Sequence, residues 1–214
     1  MEYNKKVSVG RVYRLMKSMA LPKMSTVKPK SRPHNPDSTI RTNHLKGEFN
    51  PKAPNQVWAS DITYVKVSGS FCYICVIMDL FSRKIVAYKV STRIDTKLVL
   101  DTFKAAYSKR GCPSGVMFHS DQGTQYTSLD FRKELDRVNF VQSFSAKGHP
   151  YDNAVLESFF KFLKHEELNR KSFSSLHALT IALFEYIEGF YNKRRPHSAN
   201  NWLAPDEFEH DFLL

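Results

Sequence analysis

Cysteine is scarce in this chain, with only Cys72, Cys75 and Cys112 among 214 residues. So small and odd a set rules out a disulfide framework and fits a reducing compartment. Cys72 and Cys75 form a C-x-x-C, but inside FCYICVIMDL, a run that reads as a buried strand. Residues three apart on a strand point to opposite faces, and no second Cys or His pair completes a zinc site. Both cysteines are therefore expected in the core. Long apolar runs are missing too. None approaches the ~20 residues that span a bilayer, so a cytoplasmic protein with no membrane partner is expected. No internal repeat is present, which excludes a repeat array. Acidic residues are the minority charge, 21 against 32 Lys and Arg, for a net +11. A domain this basic usually meets a polyanion. What is plentiful is core-building material: 42% of residues are hydrophobic, including sixteen Phe and ten Tyr.

Along the chain, VGRVYRLMKSMAL (9–21) spaces its apolar residues as a helix does. The stretch up to about residue 53 is rich in Lys, Arg, Pro, Asn and Ser and reads as a basic linker, able to track phosphates or to serve as a plain tether. From Trp58 the texture changes. VWASDITYVKV, FCYICVIMDLF and RKIVAYKV read as three strands in immediate succession, an antiparallel meander. A helix over 95–111, a strand over 116–120, a helix over 128–139 and a strand over 140–144 follow. After the loop 145–151, a helix starts near Asp152 or Asn153, and one long helix is expected over 174–194. The order β-β-β-α-β-α-β-α-α implies an α/β fold, a mixed five-stranded sheet flanked by helices, as in ribonuclease-H-like domains. The expected organisation is a DNA-binding remnant over 1–22, a basic linker over 23–53 and a catalytic core over 54–214.

Three carboxylates stand in unusual places. Asp61 lies inside the first strand, where an unpaired charge is costly. Asp121 directly follows the fourth strand, at a turn that Gly123 permits. Glu157 sits in the first turns of the helix that begins near Asp152. Strand ends and a nearby helix can bring the three together. Magnesium takes oxygen ligands, few of them from protein, and two such ions ~3.5–4 Å apart can activate an attacking hydroxyl and stabilise a leaving oxygen.

The blocks SDITYV, HSDQGTQYTS and KGHPYDNAVLESFFKFLKHE resemble the three catalytic blocks of integrase-core transposases, with 35 residues between Asp121 and Glu157. The closing YNKRRPHSANNWLAPDEFE is similar to the family's C-terminal signature, and the resemblance covers about residues 53–210. Within the family the chain looks like the second-frame product of two-frame bacterial insertion sequences. The resemblance implies that Asp61, Asp121 and Glu157 bind Mg²⁺ or Mn²⁺, two ions in all. It also implies DNA cleavage and strand transfer on element ends and target DNA, a homo-oligomer on DNA, and an upstream helix-turn-helix protein from the first frame. The alternatives are a hydrolysis-only ribonuclease-H-like nuclease and an inactive DNA-binding remnant. Asn200 and Asn201 stand where relatives usually carry an apolar residue and Gly, which is expected to weaken the final turn.

Further residues are candidates for contact with DNA. Glu157, Lys161 and Lys164 share one helical face, so the two lysines are placed to hold phosphates; a solvated face is the plainer reading. Lys147, in the loop before that helix, and Arg194 and Arg195, in the cluster that ends the last long helix, are candidates of the same kind. Helix ends favour cations in any case. Asn153 is explained by helix capping, and His119 either orients a ligand or packs at a strand end.

Overall fold

The computed structural model describes residues 8–19, 42–146 and 153–214. The N-terminal spacing gives helix α1 (Val9–Ser18), capped by the Ser8 hydroxyl, which accepts the Arg11 N–H at 3.3 Å. The rest of the stretch read as a DNA-binding remnant, and linker residues 23–41, lie outside the described residues.

Strands β1 (Val57–Val67), β2 (Ser70–Asp79) and β3 (Ile85–Ser91) form the expected meander. Ser68 and Gly69, at φ 45° and 82°, make the tight left-handed turn between β1 and β2. The Ser68 N–H and hydroxyl tie that turn to the carbonyls of Phe173 and Ser174, at 3.0 and 2.6 Å. β4 (Met117–Ser120) pairs parallel to β1, and β5 (Val141–Phe144) parallel to β4, giving the order β3-β2-β1-β4-β5. β4 pairs only with Val57–Ser60. Asp61 is thus the first β1 residue beyond its parallel neighbour, at the step where a parallel sheet opens a crevice.

Alternation along the strands feeds two cores. Val57, Ala59, Val76 and Met78 pack under α4 (Ala154–Glu166) and α5 (Leu176–Phe184). Trp58, Cys75, Ile77 and Val86 pack under α2 (Thr96–Lys109) and α3 (Leu129–Arg137). The two C-x-x-C cysteines are buried on opposite sides of the sheet, as strand geometry requires. Asp95, Ser128 and Ser175 cap α2, α3 and α5 with side-chain oxygens. Phe103 of α2 is the hub of the second core. Its ring meets Trp58, Phe118, Phe131 and Phe140 edge-on at centroid distances of 6.5, 5.7, 5.8 and 5.3 Å.

The structure corrects two expectations. Residues 42–53, assigned to a linker, are packed on the domain. Leu45 is buried, the Phe144 N–H donates to the Thr42 carbonyl at 3.0 Å, and the buried Arg83 guanidinium donates to the Phe49 carbonyl and Asn50 Oδ1, both at 2.6 Å. The long helix over 174–194 is two pieces: α5, then a π-helical segment, Glu185–Tyr191. There the Asn192 and Arg195 N–H groups reach back five residues, to Ile187 and Phe190, at 2.9 Å each. The tail holds a helix, α6 (Pro205–Leu213), with Pro205 at its first position, where a missing N–H costs nothing.

Candidate active site

Asp61 leaves β1 on the α4 side of the sheet. Its Oδ1 accepts the Ile62 N–H at 2.7 Å, and its Oδ2 accepts the Asn153 Nδ2 at 2.9 Å. Asn153 makes no side-chain capping bond. Its amide is spent on Asp61, so capping is not the explanation of this residue. Burial, with the charges of Asp121 and Glu157, pushes the Asp61 carboxyl up to about 7 against those two hydrogen bonds. Two more acidic groups therefore lie within electrostatic reach of Asp61.

Asp121 is exposed one residue past β4, and its Oδ1 accepts the Gly123 N–H at 3.0 Å. The Gly123 carbonyl accepts the N–H groups of Tyr126 and Thr127, closing the turn. A Cβ on Gly123 would stand 3.0 Å from Asp121 Oδ1 and 2.8 Å from Gln125 Nε2. Its φ is not positive, so glycine serves here for space, and a Cβ would make the Gln125 and Asp121 side chains shift. Glu157 lies exposed on α4, one turn beyond Asn153. Among the described residues, no group of three or more His, Cys, Asp or Glu side chains is placed to hold a metal ion. Magnesium is usually held by one or two carboxylates and keeps waters and substrate phosphates. Asp121 and Glu157 act on Asp61 electrostatically, so carboxylate oxygens, the donor type that such a cation takes, approach one another here.

The DNA-contact candidates are placed unequally. Lys161 is exposed on α4. Lys164 lies 4.7 Å over the Tyr64 ring, on the stretch of β1 that β4 does not pair. Lys147 lies outside the described residues. Arg194 is exposed, whereas Arg195 is engaged inside the protein. Its guanidinium pairs with Glu166 at 2.9 Å and stacks on Phe162 at 4.0 Å, while Tyr186 donates to the same carboxylate at 2.6 Å. That cluster joins the end of α4 to the π segment. The sequence reading missed the Asn153–Asp61 bond, although Asn153 stands one turn before Glu157. It also missed the contact of Gln122, whose Nε2 donates to the Ser145 carbonyl at 3.0 Å.

The integrase core domain family matches residues 51–150, and a second integrase core domain family matches residues 139–205. The transposase for insertion sequence element IS904 of Lactococcus lactis is 41% identical over 200 residues, covering 93% of this chain and 79% of that protein. Transposase InsF for insertion sequence IS3A of Escherichia coli K12 is 39% identical over 174 residues, covering 81% of this chain and 60% of InsF. Among solved structures, the HTLV-2 integrase catalytic core domain in complex with magnesium superposes with a TM-score of 0.58 at 17% identity, covering 74% of this chain and 99% of that one. A chain of the simian T-cell lymphotropic virus intasome gives a TM-score of 0.62 at 19% identity, covering 82% and 60%. At these identities the structures speak to the fold, a ribonuclease-H-like integrase core, and the sequence relatives to the family. The chain belongs to the insertion-sequence transposases built on an integrase core domain.

Proposed function

We propose that this chain cuts DNA at the ends of an insertion sequence and joins the freed ends to target DNA, with Asp61, Asp121 and Glu157 as its catalytic and metal-binding residues. The observation that carries this reading is the kinship with insertion-sequence transposases on an integrase core, joined to a fold in which Asn153, at the start of the helix bearing Glu157, donates to Asp61 on the central strand at 2.9 Å. Two magnesium or manganese ions, when bound, would supply activation of the attacking oxygen and stabilisation of the leaving one. The three carboxylates would hold that charge. Asn153 would fix the direction of Asp61, and Gly123 would leave room for Asp121. In the first reaction a water oxygen forms a bond to phosphorus and the P–O3′ bond breaks, leaving a 3′-OH. In the second that hydroxyl attacks a target phosphodiester, and the target's own 3′ oxygen leaves. Lys161 and Lys164 on α4 would hold the phosphates of the strand, with Arg194, which is exposed, and Lys147 as further candidates.

The organisation we propose is a DNA-binding segment in the first 22 residues, then the linker and the catalytic domain, acting as an oligomer on DNA in the cytoplasm with a helix-turn-helix partner from an upstream frame. The test is a strand-transfer assay with a pre-cleaved element end, a supercoiled target and Mg²⁺ or Mn²⁺, run beside Asp121→Asn. Metal-dependent joining that the variant abolishes is the expected result. Hydrolysis without joining would leave a nuclease, and DNA binding without cutting would leave a remnant.

A further inference from the structure

The ring of His119, the residue before Ser120 at the end of β4, is buried between two hydroxyls. Its Nδ1 lies 2.9 Å from Ser143 Oγ and its Nε2 lies 3.1 Å from Ser145 Oγ. Ser143 Oγ also accepts the backbone N–H groups of His44 and Leu45, at 2.9 and 3.2 Å. A serine hydroxyl has two lone pairs and one proton. The two amides fill the lone pairs, so the O–H must point at His119 Nδ1, which is then the unprotonated nitrogen. The ring proton is left on Nε2, where it is donated to Ser145 Oγ. Ser145 is gripped twice more: its N–H donates to the Ser120 carbonyl at 2.9 Å, and its carbonyl accepts from Gln122 at 3.0 Å. Residues 119, 120 and 122, on either side of Asp121, thus all hold Ser145. The far end of this chain of bonds, residues 42–45, precedes the integrase core match, which begins at residue 51.

We infer that residues 42–45 are a working part of the active site, and that His119 is a positioning residue. Through Ser143, the amides of His44 and Leu45 impose one tautomer on the ring. That tautomer holds Ser145 and, with it, the strand end that carries Asp121. The inference rests on Asp121 being catalytic, but its first test does not.

The full chain labelled with ¹⁵N should show the His119 ring proton on Nε2 by long-range proton–nitrogen correlation. Ser143→Ala should raise amide exchange at His44 and Leu45 and also shift the amides of Asp121, Gln122 and Ser145. A proton on Nδ1 in the parent, or shifts confined to residues 42–45 and 143, would overturn the relay. Should Ser143→Ala fail to fold, Ser145→Ala reads the other end: the His119 Nε2 and Gln122 signals should move, and their staying put would count against it. In the strand-transfer assay, His119→Asn cannot reach Ser145 and should lower kcat about tenfold, the usual scale for groups that orient a site, with KM for DNA unchanged. His119→Gln, whose amide can replace the Nε2 donor, should recover most of that loss. Equal losses in both variants would return His119 to plain packing. If the parent itself joins no DNA, the functional reading fails while the nuclear magnetic resonance result still decides the relay.

Discussion

A methyl group at Gly123 would crowd the Gln125 and Asp121 side chains, and that sets the first expectation at the scale of single residues. Gly123→Ala would push on the Asp121 carboxylate from 3.0 Å. Metal-dependent turnover should fall by about ten- to a hundredfold, because misplacing a reacting group by about 1 Å costs on the order of 10² in rate. Circular dichroism should show the melting temperature little changed; a variant of normal activity would mean that Asp121 is not in the chemistry. Asn153→Ala removes the donor on Asp61 Oδ2. Mn²⁺ affinity, titrated directly, should drop by about tenfold or more, as loss of a group that orients a ligand typically does. Unchanged affinity would detach Asn153 from the site. The three carboxylates stand out in the sequence because each sits where a carboxylate is costly or conspicuous, and the structure adds that Asp121 and Glu157 act on Asp61 electrostatically. Asn153 is only half legible, because capping alone accounts for an Asn at a helix start. Only the three-dimensional approach of β1 to α4 shows what its amide does.

Helix α6 is held as an element by one buried carboxylate. Glu209 accepts two bonds from Arg110, at 2.8 and 2.7 Å, and one from the Ser82 hydroxyl at 2.6 Å, while Arg110 also pairs with buried Asp79 at 2.7 Å. Glu209→Ala takes one of two carboxylates from Arg110, which keeps Asp79, so the loss should fall at or below the low end of the about 3–5 kcal/mol that a fully broken buried pair costs. Urea unfolding should show that loss; a change below about 1 kcal/mol would make α6 an ornament. Burial raises the Glu209 pKa, but the bonds from Arg110 and Ser82 and the charges of Arg110 and Lys84 more than offset it. Its stabilisation is therefore full above the unfolded glutamate value of ~4.3 and is lost as pH falls through the lower folded value. His197, before α6, adds a second acid-side loss. Burial and the charges of Arg83 and Arg195 lower its pKa to about 4. Below the ordinary value of ~6.5 the unfolded chain takes the proton first, so stability should decline between pH ~6.5 and ~4. His197→Gln should flatten that part of the curve, and an unaltered slope would remove His197 from the account. Periodicity exposed α2 to α5 but not α6, whose nine residues mix five charged or polar groups with few apolar ones. It also could not see the π segment, because apolar residues surround α5 on every side and hide the change of pitch. Residues 42–53 escaped for a different reason. They dock through backbone groups and two apolar side chains, a pattern without a period.

At the scale of the whole molecule, a net charge of +11 favours DNA binding that releases the counterions condensed on the phosphates. Lys161→Ala and Lys164→Ala should each lower the salt slope of DNA binding by about one, and an unaltered slope would restore the solvated-face reading. Asn200 and Asn201, the departure from the family pattern expected to weaken the final turn, are both accommodated in it. Asn201 takes the left-handed φ of 53° that Asn tolerates, and the Asn200 amide donates to the Ser82 carbonyl at 2.6 Å, leaving its own Oδ1 without a partner. The packing of Thr42–Leu45 along β5 has a colloidal consequence as well. β5 is the last strand of the sheet, and this segment covers the side that no strand pairs, with the Phe144 N–H taken by Thr42. A fragment cut at the start of the integrase match would bare that edge beside exposed Val141, and bare edges recruit one another. Such a fragment should clump during expression where the chain beginning before residue 42 stays dispersed.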